Sequence, residues 1–250
     1  MGGLTVLKAV AERLPNEDLV YYGDTAHLPY GNKSSEAVAR YSLSIARYLT
    51  EKGIKLLIVA CNTASVFALE ILKAELSVPV IGVVEPGVSA ATGTASKAVG
   101  VIGTYGTIKS GAYENAIKKA NPEIDVVSMA CPLFVPFVEE GWIDHPVTSQ
   151  VADIYLGPFA GKVDSVILGC THYPVIKHVI EKTLGSDIIV VDSALEVAKA
   201  AEKKIIETGN RGNGQGSCEF YVSDAPELFK ERGPLFLGKQ VKDVALAEMD

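Results

Sequence analysis

Two cysteines, Cys61 and Cys170, are the residues of this sequence best placed to do chemistry. Each follows an apolar run that ends in a small residue, and each precedes a predicted helix. A helix N-terminus favours the thiolate, because the helix dipole and the free backbone N–H groups stabilise an anion. We therefore predict that both sulfurs are reactive. For either cysteine alone, the alternative is a buried small apolar side chain without a chemical role.

Two thiols in one cleft could form a redox pair, ligate a metal or act as two acid/base groups. Redox pairs usually lie in a C-x-x-C motif, which none of the four cysteines forms. A zinc site would need two further ligands, and His172 is the one candidate near Cys170. Two bases on opposite faces of a substrate suit racemisation, because one thiolate removes the Cα proton and the other thiol delivers a proton to the far face.

The surroundings of the two cysteines repeat within the chain. Residues 55–63 and 164–172 both contain an apolar run, a small residue and a cysteine. Each segment is followed by a helix pattern and then by a second apolar strand that ends in an acid, Glu85 or Asp192. Open parallel sheets bind ligands at the carboxyl ends of their strands. The repeat therefore predicts two related α/β halves that each present one thiol.

The elements that must position these thiols alternate along the chain, which favours a parallel, doubly wound sheet. Predicted strands cover residues 19–22, 56–60, 80–84, 98–102, 124–129, 163–168, 188–191 and 218–222, and predicted helices cover 4–14, 34–52, 64–76, 108–120, 174–184 and 194–207. The strand over 56–60 is predicted to be buried on both faces. A loop is predicted over 209–216 and a short apolar tail over 235–237.

The predicted fold is α/β, with two pseudo-symmetric doubly wound parallel-sheet domains and the active site in the cleft between them. The first domain is predicted to comprise residues 1–88 plus 208–250, and the second residues 89–207. The first crossover is expected near 85–97. The C-terminal segment is expected to return and pack on the first half.

Composition excludes several classes of protein. Of 250 residues, 48% are hydrophobic and 21% are charged, which is typical of a folded chain. The net charge is −7 and there is no Lys/Arg run, so a nucleic-acid partner is not expected. No apolar stretch reaches about 18 residues and no signal peptide is evident, so we expect a cytoplasmic protein away from membranes, with free thiols.

Several segments together resemble the glutamate racemase family, within the aspartate/glutamate racemase superfamily, over roughly residues 2–240. Cys-Asn-Thr alone is a weak signal, whereas the set in this order is a strong one. The segments are Gly2-Gly3-Leu4-Thr5-Val6, Gly23-Asp24-Thr25-Ala26, Pro29-Tyr30-Gly31, Cys61-Asn62-Thr63, Pro79-Val80-Ile81-Gly82, Glu85-Pro86, Gly103-Thr104, Gly106-Thr107, Cys131-Pro132-Leu133, Val138-Glu139 and Gly169-Cys170-Thr171-His172-Tyr173-Pro174.

The resemblance implies interconversion of L- and D-glutamate for peptidoglycan, without pyridoxal phosphate, other cofactors or a metal. It implies that Cys61 and Cys170 are the acid/base pair and that His172 and Glu139 assist the second thiol. It also implies that many members are homodimers. Substrate-binding positions matched by the resemblance are Pro29, Tyr30, Gly31, Asn62, Thr63, Thr104, Thr107 and Thr171.

Several of these positions also have a structural interpretation. Pro29-Tyr30-Gly31 is an ordinary turn signature, and Gly103 to Thr107 could be a turn with a helix cap. His172 could be a satisfied core histidine, and Glu139 could be a solvated charge on a helix. By contrast, Asn62, Thr63 and Thr171 are expected at helix N-termini, where amide, hydroxyl and free N–H groups can hold a carboxylate.

The sequence departs from the family at its start. The family pattern has an apolar strand and Asp-Ser-Gly ahead of Gly-Gly-Leu-Thr-Val, whereas Met1 stands directly before Gly2-Gly3 here. The family's Asp assists the first thiol, so the departure concerns the surroundings of Cys61. Without that strand, its neighbours would expose unpaired backbone and apolar surface. We favour a start upstream of Met1 over a short chain that is weak or inactive.

Three functions remain open on this sequence. The first is glutamate racemase. The second is a racemase of aspartate or another small acid, which would share the cysteine pair and differ in its pocket. The third is an inactive protein that binds a small acid without exchanging its Cα proton.

Overall fold

The computed structural model describes residues 1–94 and 97–247, and every strand pairing among them is parallel. The predicted α/β class with doubly wound parallel sheets is confirmed. In chain order, the strands are β1 (Leu19–Gly23), β2 (Leu57–Val59), β3 (Val80–Gly82), β4 (Ala98–Gly103), β5 (Asp125–Ala130), β6 (Ser165–Gly169), β7 (Ile189–Val191), β8 (Cys218–Val222) and β9 (Val244–Leu246).

Helices separate most of these strands, and 3-10 turns lie at Thr25–His27, Tyr30–Asn32, Gly157–Phe159 and Tyr173–Ile176. In chain order, the α-helices are α1 (Gly3–Arg13), α2 (Ser35–Glu51), α3 (Asn62–Glu75), α4 (Val84–Thr94), α5 (Tyr105–Lys109), α6 (Ala112–Ala120), α7 (Phe134–Glu139), α8 (Pro146–Leu156), α9 (Lys177–Leu184), α10 (Ser193–Thr208) and α11 (Pro226–Leu237).

The second half contains one four-stranded sheet in the order β5-β4-β6-β7. Successive side chains of a strand point to opposite faces. Accordingly, Val166 and Leu168 of β6 pack in one apolar cluster with Phe159, whereas Ile167 packs in another with Tyr113. Because helices cover both faces, the whole of β6 is buried, which explains its continuous apolar sequence.

The first half is divided between two sheets. One has the order β1-β8-β9 and the other pairs β2 with β3. The pairing of Leu19 with Cys218 confirms that the C-terminal segment returns to the first half. Among residues 1–94 and 97–247, no strand joins β1 to β2, and a cavity lined by Val20 and Ile58 lies between them.

The same gap corrects the prediction that the strand over 56–60 is buried on both faces. Leu57 is buried, but Ile58 and Val59 are half-buried because β2 borders the cavity instead of a further strand.

The two cysteine segments nevertheless match in structure. Cys61 follows β2 and is followed by α3 and β3, and Cys170 follows β6 and is followed by α9 and β7. In each half the strand before the cysteine pairs in parallel with the strand after the helix. The predicted internal repeat therefore places each thiol at the carboxyl end of an equivalent strand.

Other element predictions differ from the structure. The tail predicted at 235–237 is the end of α11, and α7 and α8 were not predicted. The helix predicted over 108–120 is divided into α5 and α6, because Gly111 has a φ of 67° and interrupts the helical backbone. Glu85 lies in the first turn of α4 instead of at a strand end.

The crossover predicted near 85–97 contains α4 as far as Thr94, and residues 95 and 96 lie outside the described residues. Residues 248–250 of the predicted first domain also lie outside them. The division into 1–88 plus 208–250 and 89–207 stays a prediction. Within the part of the chain that is described, no helix is long and apolar enough to cross a membrane.

Candidate active site

A cavity of about 650 Å³ brings the predicted site residues together. It lies at the carboxyl ends of β2 and β6 and extends between β1 and β2. Predicted residues that line it are Pro29, Tyr30, Gly31, Cys61, Asn62, Thr63, Thr104, Glu139, Cys170, Thr171 and His172. Thr107 is buried behind this lining and contacts it through its hydroxyl. Residues more than a hundred positions apart in the sequence thus face one space.

Cys61 is the residue immediately before the first turn of α3. Its carbonyl accepts the Ser65 N–H at 2.8 Å, which starts the helix. Burial raises the pKa of the Cys61 thiol, and the N–H groups of Ala64 and Thr63 oppose this shift. At this thiol the effect of burial on the pKa exceeds the opposing effect of the helix start, and the role of Cys61 as an acid/base group stays a prediction.

Cys170 is more deeply buried, with 6% of its surface exposed. Burial raises the pKa of its thiol to about 12. The backbone N–H of His172 opposes this shift, and the negative charge of a Cys61 thiolate adds to it. A 3-10 turn at Tyr173–Ile176 follows it, and α9 begins only at Lys177. The predicted α-helix directly behind Cys170 is therefore replaced by this turn, so the thiol lacks a full helix dipole.

His172 connects the Cys170 thiol to a carboxylate. Its Nδ1 lies 3.8 Å from Cys170 Sγ, and its Nε2 lies 3.0 Å from Glu139 Oε1. Burial lowers the pKa of His172 despite the opposing effect of Glu139, which makes the imidazole neutral at pH 7. Since Glu139 has a lowered pKa and accepts the Nε2–H, Nδ1 is left with a lone pair that faces the thiol. The arrangement can accept a proton from Cys170.

Three threonine hydroxyls join the two halves beside Cys61. Thr63 lies at the start of α3, and its Oγ1 is 3.0 Å from that of Thr104 and 3.2 Å from that of Thr107. The Thr104 side chain also accepts the Thr107 N–H as the cap of α5. Thr104 therefore has the structural role of a helix cap and at the same time lines the cavity. Hydroxyls at two helix starts can together bind an anion.

The loop at Pro29, Tyr30 and Gly31 closes over this cluster. The Tyr30 hydroxyl donates to Asp24 Oδ2 at 2.5 Å, which anchors the loop to the end of β1. A Cβ on Gly31 would lie 2.8 Å from the Cβ of Thr104. Glycine is therefore required at this position for the loop of the first half to approach the second half so closely. The loop thus has a further role besides that of an ordinary turn.

Asn62 and Thr171 complete the polar lining next to the two sulfurs. Asn62 is 2% exposed, and its Oδ1 accepts the Tyr113 hydroxyl at 2.5 Å. The carbonyl of Thr171 accepts the Thr5 hydroxyl at 3.0 Å, which fixes the backbone between Cys170 and His172. The amide and hydroxyl side chains at these positions can hold the polar groups of a small acid between the thiols.

Sequence reasoning missed two residues that support this lining, Tyr113 and Asp24. Asp24 lies inside a motif that the sequence analysis quoted without giving it a role, and its spacing from Tyr30 was a usable signal. No local signal marks Tyr113, because tyrosines in the first turn of a helix also occur in apolar cores that carry no site.

Comparisons with known proteins agree with this geometry. A family model described as Asp/Glu/Hydantoin racemase matches residues 3–201. A glutamate racemase of Geobacter metallireducens is 52% identical over 249 residues, which cover 98% of this chain and 92% of that protein.

Solved structures resemble the chain over its whole length. A glutamate racemase isoform from Bacillus anthracis has a TM-score of 0.94 at 35% identity, covering 100% of this chain and 94% of that one. A glutamate racemase from Francisella tularensis, solved in complex with D-glutamate, has a TM-score of 0.92 at 37% identity, with coverage of 100% and 94%.

Proposed function

Since this chain belongs to the Asp/Glu/Hydantoin racemase family, it is an isomerase, and we propose that it interconverts L- and D-glutamate. The observation that carries the proposal is the pair of thiols, Cys61 and Cys170, at the ends of equivalent strands that border one polar cavity. Such a pair offers one base to each face of a substrate Cα.

In the proposed reaction, one cysteine acts as thiolate and takes the Cα proton, becoming a thiol. The resulting carbanion takes a proton from the other cysteine on the opposite face, and that cysteine becomes the thiolate. The total number of protons is unchanged, and the reverse reaction exchanges the roles of the sulfurs. We propose that His172, oriented by Glu139, receives the proton that the Cys170 thiol must lose before it can act as base.

We propose that the substrate carboxylates are held by Asn62, Thr63 and Thr104 on one side and Thr171 on the other, with Thr107 and the loop Pro29-Tyr30-Gly31 supporting them. The chain carries a net charge of −7, which gives an anion no long-range attraction. Local attraction must therefore come from the free N–H groups and dipole at the start of α3 and from the hydroxyls.

The product we propose, D-glutamate, would be supplied to peptidoglycan. We further propose a cytoplasmic enzyme, supported by four free cysteines, which suit a reducing compartment. We also propose a homodimer, because the resemblance implies that many members of the family are homodimers.

The test is circular dichroism of L- and D-glutamate and of L- and D-aspartate, incubated with the purified chain in D2O, with Cα deuteration followed by NMR. Loss of the glutamate signal from either enantiomer, with deuterium at Cα, supports the proposal. Activity on aspartate alone would move the assignment to the second candidate. Binding of glutamate without any exchange would indicate an acid-binding protein.

The raised thiol pKa values predict the pH dependence of racemisation. The reaction needs one thiolate, and burial keeps both thiols protonated at neutral pH. As pH rises toward these raised pKa values, the thiolate fraction grows about tenfold per pH unit, so kcat/KM for L-glutamate is expected to rise about thirtyfold between pH 7 and pH 8.5. A stopped-time assay in one buffer series measures this. A kcat/KM that is level or falls over that range would contradict it.

A further inference from the structure

The Tyr113 side chain lies between the segments that carry the two cysteines. Tyr113 belongs to the first turn of α6 and is 2% exposed. Its hydroxyl donates to Asn62 Oδ1 at 2.5 Å, and Asn62 directly follows Cys61. One side chain of the second half is therefore bonded to the cysteine segment of the first half.

The ring of Tyr113 also lies beside the other cysteine segment. A Cβ built on Gly169 would lie 3.4 Å from Tyr113 Cε2, which is ordinary van der Waals contact, and Gly169 directly precedes Cys170. The hydroxyl of Tyr113 is thus hydrogen-bonded to the residue after one cysteine, and the ring edge lies beside the residue before the other.

The bond to Tyr113 determines which end of the Asn62 amide is free. Its Oδ1 is occupied by the hydroxyl, and its Nδ2 is buried without a hydrogen-bond partner among the described residues. A buried N–H group left unpaired costs about 1–3 kcal/mol, so native structures rarely retain one without a reason. Since Asn62 lines the cavity between the thiols, a ligand oxygen there would satisfy this donor.

We propose that Tyr113 is a positioning residue for the reaction, which orients the Asn62 amide so that Nδ2–H donates to a carboxylate of the substrate. This inference rests on the proposed function and adds a determinant of carboxylate binding in the second half of the chain. Tyr113 does not touch the substrate itself and acts through Asn62.

Replacing Tyr113 with phenylalanine removes the hydroxyl and keeps the ring against Gly169. The freed Asn62 amide can then rotate, so KM for glutamate is expected to rise about tenfold while kcat changes less. A tenfold rise corresponds to the loss of about one aligned hydrogen bond to a charged group. Tyr155→Phe is the matched control, because Tyr155 packs against Phe134 and does not line the cavity. It is expected to keep the wild-type KM.

A double-mutant cycle separates this role from a merely structural one. Asn62→Ala should raise KM by itself, and adding Tyr113→Phe to it should have no further effect. Equal effects of Tyr113→Phe with and without Asn62 would overturn the proposal. So would an unchanged KM in Tyr113→Phe.

Asn62→Asp provides a second test that leaves the buried tyrosine intact, for the case that Tyr113→Phe does not fold. The Tyr113 hydroxyl can still donate to this side chain, but no N–H remains for a carboxylate. KM should rise at least as much as in Asn62→Ala, and a wild-type KM would overturn the proposal. Absence of racemisation by the unmodified chain would refute the proposed function instead, so the two failures are distinguishable.

Discussion

Racemisation of glutamate is expected to fall by about 10³-fold or more when either Cys61 or Cys170 is replaced by serine. Serine retains the size and hydrogen-bonding capacity of cysteine, but its hydroxyl is far too weak an acid to form the anion that removes a Cα proton. Both sulfurs line the same cavity at the ends of β2 and β6. The measurement is the rate of change of optical signal from each enantiomer, with folding confirmed by thermal melting.

A deuterium experiment sharpens this prediction. In D2O, a variant with one remaining thiol can remove and return a proton on one face only. Cys61→Ser and Cys170→Ser are therefore expected to show slow Cα exchange, without inversion, for opposite enantiomers. Exchange of the same enantiomer by both variants would contradict the arrangement of one base per face.

The control for the cysteine variants is Cys218→Ser. Cys218 is also a free, partly buried cysteine, but it begins β8 and does not line the cavity. This variant is expected to racemise glutamate like the unmodified chain. A single Cys61 or Cys170 variant with a comparable rate would leave no basis for a two-base mechanism.

Replacing Gly169 with alanine is expected to destabilise the protein and to disable it. A Cβ at this position would lie 2.6 Å from the carbonyl oxygen of Ile102, a backbone atom that no side-chain rotation can move. The two residues belong to β6 and β4, which pair in the middle of the four-stranded sheet. Because the strands would have to separate, we expect a loss of about 3 kcal/mol in the free energy of unfolding.

For a chain of this size, that loss corresponds to a decrease of roughly 6–12 °C in Tm, measured by calorimetry or circular dichroism. Activity should fall as well, since Gly169 directly precedes Cys170. Gly93→Ala is the matched control, because no atom of residues 1–94 and 97–247 lies within 4 Å of a Cβ built in this position near the end of α4. Its stability should be unchanged or higher by up to about 1 kcal/mol. An unchanged Tm in Gly169→Ala would show that β4 and β6 do not approach so closely.

Much of the architecture could be predicted from local pattern. Apolar runs of strand length alternate with helical periodicity, and two of these runs end in a cysteine, so parallel sheets in two related halves followed from the order of residues alone. The burial of β6 followed in the same way. These features depend on residues near one another in sequence, where periodicity and strand propensity act directly.

Elements with weaker patterns could not be predicted so well. The helix α11 contains Pro234 and Gly233, which are poor helix formers, and it is stabilised by the burial of Phe229 and Phe236 in the core. Its local sequence therefore indicated only a short apolar tail. Likewise, the break between α5 and α6 depends on the left-handed conformation of a single glycine, Gly111, which a glycine permits but does not require.

By itself, the sequence determined the class of fold, the two thiols and the motifs that surround them, because each of these is carried by a short run of residues. Only the tertiary structure decided the direction in which the thiol pKa values shift, since burial of Cys61 and Cys170 raises them and outweighs the nearby backbone N–H groups. The partners of the site side chains were decided there too. Glu139 meets His172 within the second half, and Tyr113 meets Asn62 across the two halves, at distances in sequence that no local pattern encodes, because such contacts arise only when separate elements pack together.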